Sequence, residues 1–283
     1  MRARKVTGWV LLALLTLQTA CGGLLAGARL GSLDGSSSSR ASAGFNLFSP
    51  EQDIELGEAS AEEIRRQVVV LRDERAERYV QRLGERLAAE APGYKFPYKF
   101  VVVASPEVNA FALPGGYVFV NEGAIEAARS EAELAGVLAH EIAHVSLRHG
   151  TTQASRAYLA KTGLNVLNAV TVALQGDVAR LAAIVGGAGA NKLFLKSNRE
   201  AEAQADAEGA RLMAAAGYDP REMAMFFERL YEQGDEREEE GDHPDPASRV
   251  EAITKVAVGL RRATPRAQNT DEFRRVKSRL SGR

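Results

Sequence analysis

The sequence predicts an α+β fold, mainly helical, with a small antiparallel sheet. Helical patterning occupies most of the chain, whereas only "YKFVVVA" and "LPGGYVFV" read as strands, the second turned by Pro114-Gly115-Gly116. The 283 residues, 45% of them hydrophobic, suffice for one domain of ordinary size with its own core, plus appendages. Thirty-six basic and 37 acidic residues leave a net charge of -1, which gives no reason to expect nucleic-acid binding.

The first 21 residues stand apart from the fold. Arg2, Arg4 and Lys5 precede the apolar run "WVLLALLTLQTA", the pattern of a secretory signal and short for a membrane span. Cys21 directly follows this run and is the only cysteine, so no intramolecular disulfide can form. With the small Ala20 before it, Cys21 occupies the place of the acylated cysteine of a bacterial lipoprotein, although Gln18 stands where such signals usually have leucine. The expectation is a periplasmic protein held to the outer membrane by a lipid on Cys21. Cleavage at "AGA", Ala26 to Ala28, is the alternative and would release a soluble protein. Residues 22–48, with "GSLDGSSSSRASAG", read as a flexible tether.

A helix is expected from Pro50 to about Ala89, followed by the strand, the hairpin and a short helix near Glu122. The next helix is signalled by Ser130 and Glu133, a capping box. Leu134, Val137, Leu138, Ile142 and Val145 then recur near a 3.6 period, and Gly150 suits the stop. This helix carries "HEIAH". At about 100° per residue, His140 and His144 lie roughly 40° apart and one turn separated, so both imidazoles can reach one ion. Glu141 falls on the same side, within reach of a water on that ion. His149 falls on about the opposite face of a continuing helix and is not a third ligand from it. Two imidazoles and a carboxylate are costly to bury on an apolar helix unless paired or metal-bound.

A third ligand must come from elsewhere. The pattern that continues to a third histidine fails, because Leu147 and Gly150 stand where glycine and histidine would be required. A later helix, "SNREAEAQADAEGARLMAAAGYDP", offers Glu202 and Asp206 at i, i+4, one to bind the ion and one to accept the free N–H of a ligating imidazole. Spacing alone does not choose Glu202 over Glu200. Between the two helices, "TGLNVLNAVTVALQGDVARLAAIVGGAGANKLFL" is too interrupted by charge to span a membrane and reads as two buried or cleft-lining helices.

Five ordered motifs now carry a resemblance: "SPEQDIELG", "NAFALPGGYVFVNEGAI", "HEIAH", "EAQAD" preceded by "SNR", and "HPDPASR". Together they resemble the HtpX-like and BepA-like gluzincin metallopeptidases, a family that includes the CAAX prenyl endopeptidases, over roughly residues 49 to 262. The resemblance implies a zincin-type domain whose edge strand borders the cleft. It implies one Zn2+ per chain on His140, His144 and Glu202, with Glu141 as catalytic base and Asp206 orienting a ligating histidine. Asn109, Ala110, Phe111 and Ala112 would pair with an extended substrate. His243 is implied as a helper of the oxyanion or as an inhibitory ligand, and Arg249 as the anchor of its loop.

The expected function is zinc-dependent cleavage of unfolded or misassembled polypeptides in the cell envelope, with an envelope assembly machinery as a possible partner. A chaperone-like client binder and a protease kept latent by the His243 loop are the alternatives. The acidic run "EQGDEREEEGDHPDP" flanks His243, and residues 263–283 form a basic tail, both expected to be solvated. No internal repeats are visible, and no tetratricopeptide array is expected in the residues after Arg249.

Overall fold

The computed structural model describes residues 45–162, 198–232, 246–260 and 269–282. His243, the signal with Cys21, most of the tether, and all but the first residue of the expected helix pair, residues 162–195, lie outside the described residues. The chain opens with two helices where one was expected, α1 (Pro50–Gln67) and α2 (Glu74–Ala89). Ser49 caps α1 in a capping box with Gln52, and Pro50 takes the first turn, where its missing N–H costs nothing. The break follows from Val68, Val69 and Val70, three β-branched residues that prefer extended backbone. Val70 bridges Val103, and the Leu71 N–H donates to Val102 O at 2.9 Å. Asp73 then starts α2 by accepting from the N–H groups of Arg75 and Ala76.

The sheet has three strands, β1 (Lys99–Val103), β2 (Ala110–Ala112) and β3 (Tyr117–Asn121), in the order β1-β3-β2. The hairpin pair β2–β3 is antiparallel, as expected, but β1 runs parallel to β3, so the sheet is mixed. The parallel pairing is possible because β2 and its turn return the chain to β1's starting end before β3 begins. That turn is the 3-10 segment Pro114–Gly116, where Gly115 has φ 76°. A Cβ on Gly115 would stand 2.5 Å from Ile54 Cα, so α1 lies directly on the turn. β2 is left as a sheet edge.

A short helix α3 (Glu122–Ala127) leads to α4 (Glu131–Ser146), which is buried almost throughout. Around it stand α5 (His149–Thr162), α6 (Arg199–Ala215), α7 (Arg221–Glu232), α8 (Pro246–Gly259) and α9 (Asp271–Leu280). α4 packs against α2, α6, α7 and β2, and α8 covers α6 and α7. The main core gathers Leu83 and Leu87 of α2, Val102, Val118 and Val120 of the sheet, Leu134, Leu138 and Ile142 of α4, and Met213 of α6. Among the described residues no helix is long and apolar enough to cross a membrane.

The basic end of the chain is not wholly a solvated tail. Phe273, Val276 and Leu280 of α9 join the main core, and Arg279 pairs with the buried Asp73 at 2.5 Å. Glu131, 3% exposed, ties this end to the rest. It accepts from Tyr79 Oη at 3.1 Å, from Tyr218 Oη at 2.6 Å and from the Thr270 hydroxyl. Glu131→Ala strands two buried phenols and is expected to cost about 3 kcal/mol in urea unfolding. A cost below about 1 kcal/mol would mean that those hydroxyls find other partners.

Candidate metal centre

Local capping and close helix packing set the position of every group in this centre. Ser130 caps α4 by accepting from the Glu133 N–H at 3.1 Å. The Glu133 carboxylate reaches back to the Arg129 N–H, one residue before the position a capping box predicts, and Arg229 holds it there at 2.6 Å. Asn198 caps α6 by accepting from the Ala201 N–H. The two helices meet at Gly209, where a Cβ would lie 3.2 Å from His140 N. That approach carries the side chains of α6 onto the face of α4 that bears the histidines.

There His140, His144 and Glu202 converge, with one donor atom of each inside a 4.8 Å span. His140 Nε2 and His144 Nε2 stand 3.0 Å apart, and each lies 3.3 Å from a different Glu202 oxygen. Ligand atoms at zinc–nitrogen or zinc–oxygen distances on a tetrahedron are about 3.3 Å from one another. The donor set therefore fits a small divalent cation such as zinc. Glu200, which spacing could not separate from Glu202, is exposed and accepts from Gln204 instead.

Charge supports the same fit. Glu141, Glu202 and Asp206 are 3%, 2% and 0% exposed, and the guanidinium of Arg249 is the buried cation among them. Three carboxylates beside one guanidinium make this buried surround acidic, which favours a bound cation. Asp206 Oδ1 lies 2.9 Å from His140 Nδ1 and so accepts its N–H, turning His140 Nε2 toward the shared point. Arg249 holds Asp206 with two bonds, Nε to Oδ2 at 3.0 Å and Nη2 to Oδ1 at 2.9 Å, and lies 4.0 Å over the Phe227 ring. Arg249 thus fastens α8 to α6 against His140, its Nη2 3.1 Å from His140 Nδ1.

Burial and the Arg249 charge push His140 down, but hydrogen bonds to Asp206 and Glu202 outweigh them and raise it to about 9. Burial pushes Asp206 up, yet Arg249 and His140 hold it at about 2. A carboxyl depressed on folding contributes stability that is present above its unfolded value, near 3.9. That stability is lost as pH falls toward 2. In chelator-treated protein, on the order of 2 kcal/mol should disappear over this window. The urea midpoint of Asp206→Asn is expected to be lower at pH 6 and flatter below pH 4.

The structure corrects the expected position of His149. α4 stops at Ser146, and Arg148 adopts a left-handed φ of 58°, held by Asp53 at 2.6 Å and by Phe48 O at 2.5 Å. The turn brings His149 back beside His144, with the two Nδ1 atoms 3.0 Å apart. His149 Nε2 lies 3.1 Å from Gln204 Oε1 on α6. A residue other than Gly with positive φ is uncommon, and nothing local to Arg148 announces it. Sequence reasoning also missed Phe227, whose ring meets His140 edge-on at 5.9 Å.

On the edge strand next to α4, Ala110 is buried and Phe111 and Ala112 are half-buried, as is Asn109 just before it. Comparison with known proteins places this arrangement. The family model for peptidase family M48 matches residues 74–257, which contain α4, α6 and the sheet. The chain belongs to peptidase family M48. Its similarity to the Beta-barrel assembly-enhancing protease of Escherichia coli (strain K12) is 29% identity over 248 residues, 85% of this chain and 50% of that protein. The putative Beta-barrel assembly-enhancing protease of Vibrio cholerae shares 34% over 65% of this chain and 38% of its own length. The Mitochondrial metalloendopeptidase OMA1 of Schizosaccharomyces pombe shares 34% over 54% of this chain and 43% of its own. This member of peptidase family M48 spans half or less of the length of those relatives.

Proposed function

We propose that the chain is a zinc-dependent endopeptidase of the bacterial cell envelope that cleaves unfolded or misassembled proteins. The convergence of His140, His144 and Glu202, with Glu141 beside them on α4, carries this reading. Zinc, when bound by those three residues, would acidify a water and polarise a peptide carbonyl. Glu141 takes the proton of the attacking water and passes it to the leaving amine. Asp206 keeps His140 in the tautomer that offers Nε2, and Arg249 keeps Asp206 ionised. β2, an edge strand beside α4, pairs through its backbone with an extended client and thus accepts many sequences.

Names of the bacterial relatives support an envelope setting and an assembly-machinery partner. The apolar run ending at Cys21 supports a lipid anchor in the outer membrane, with a soluble periplasmic form as the alternative. His243 is assigned to the oxyanion or to a latent, blocked state.

The test is casein cleavage by the full chain before and after chelation, with zinc restored, in parallel with His243→Ala. Zinc-dependent cleavage is expected, and a gain in His243→Ala would identify the latent form. Stoichiometric zinc with no cleavage by either protein, and client binding intact, would replace the protease reading with that of a chaperone-like binder.

A further inference from the structure

We propose that His149 is a positioning residue for the metal centre: it fixes the tautomer and rotation of His144 through the contact between their Nδ1 atoms and ties that ring to α6 through Gln204. The proposal rests on His144 being a metal ligand. His140 has its aligning group in Asp206, 2.9 Å away. The corresponding position at His144 is filled by His149, with Nδ1 to Nδ1 at 3.0 Å and the rings at 77°.

With His144 Nε2 as a ligand, proton placement along this series follows from it. His144 Nε2 points at His140 Nε2 and Glu202 Oε1, so as a ligand it carries no proton and its Nδ1 does. That N–H donates to His149 Nδ1, which must accept. The remaining proton of the neutral His149 ring is therefore on Nε2, facing Gln204 Oε1 at 3.1 Å. The Gln204 amide is turned the right way to receive it, because its Nε2 donates to Glu200 Oε1 at 3.3 Å. Every donor in the series meets an acceptor, and the series closes on the helix that supplies Glu202.

The backbone is arranged to hold His149 there. The left-handed Arg148 reverses the chain after α4, and its guanidinium is clamped by both oxygens of Asp53 on α1 and by Phe48 O. α4 and α6 thus meet at the His149 ring, and α1 holds the turn that precedes it. Groups that orient a metal-bound histidine set affinity by about 10- to 100-fold.

The experiment measures zinc affinity of the full chain by competition with a chromophoric chelator, and the visible spectrum of the cobalt-substituted protein. The proteins compared are wild type, His149→Phe, His149→Asn and Gln204→Met. His149→Phe keeps a ring but no acceptor and should bind zinc about 10- to 100-fold more weakly, with an altered cobalt spectrum. His149→Asn retains an acceptor near the Nδ1 position and should recover affinity to within a few-fold. Gln204→Met leaves the outer proton without its acceptor and should weaken binding in the same direction as His149→Phe.

Wild-type affinity and an unchanged cobalt spectrum in His149→Phe would overturn the proposal. So would a His149→Asn variant as weak as His149→Phe. If His149→Phe does not fold, the same comparison is decided by His149→Asn and Gln204→Met: unchanged affinity in Gln204→Met overturns the proposal. A wild-type chain that binds no zinc at all would instead overturn the metal-centre reading on which this inference stands.

Discussion

Glu141→Gln is expected to lower kcat for casein cleavage by about 10³-fold while zinc content stays at the wild-type level. Glutamine keeps the volume and the hydrogen-bonding shape of the side chain but cannot take a proton. Glu141 is 3% exposed on the same helix as His140 and His144, whereas the converging donor atoms belong to those two histidines and Glu202. Loss of turnover without loss of metal is therefore the signature of a base, not a ligand. KM should change little, because no binding contact to an extended client is removed. Activity within tenfold of wild type would place the proton acceptor on another group.

Arg249→Ala is expected to cost about 3–5 kcal/mol of stability, measured by urea unfolding at neutral pH. The reason is the charge left behind. Asp206 is fully buried, and Arg249 contributes both of its guanidinium bonds as well as the contact with Phe227. Arg249→Lys should recover only part of the loss, since an ammonium cannot span both carboxylate oxygens. A cost below about 1 kcal/mol in Arg249→Ala would show that another group compensates Asp206.

What the sequence made legible follows the range of the interactions concerned. The relation between His140, Glu141 and His144 lies within one helix, so angular arithmetic alone puts them on one side. Spacing could not choose Glu202 over Glu200 and the resemblance did; the physical reason is which face of α6 meets α4, set by the close packing at Gly209. The hairpin β2–β3 was readable because its turn is local, whereas the parallel neighbour of β3 is set by long-range pairing with β1. The expectation of one helix from Pro50 to about Ala89 overlooked the extended preference of Val68 to Val70 and the capping Asp73, and that of a solvated tail overlooked the apolar stripe Phe273, Val276 and Leu280 on α9. The position of His149 was not readable, because it depends on a left-handed arginine that Asp53 stabilises from another helix.

The acidic surround of His140, a place for a divalent ion, has a consequence beyond chemistry. A ligand that binds only the folded chain adds about 4 kcal/mol to its stability at a thousand times its dissociation constant. Starving the compartment of the ion would thus withdraw a large share of what keeps this chain folded. Scarcity would then lower the amount of the protein as well as the turnover of each copy, and supply of the ion would set both together.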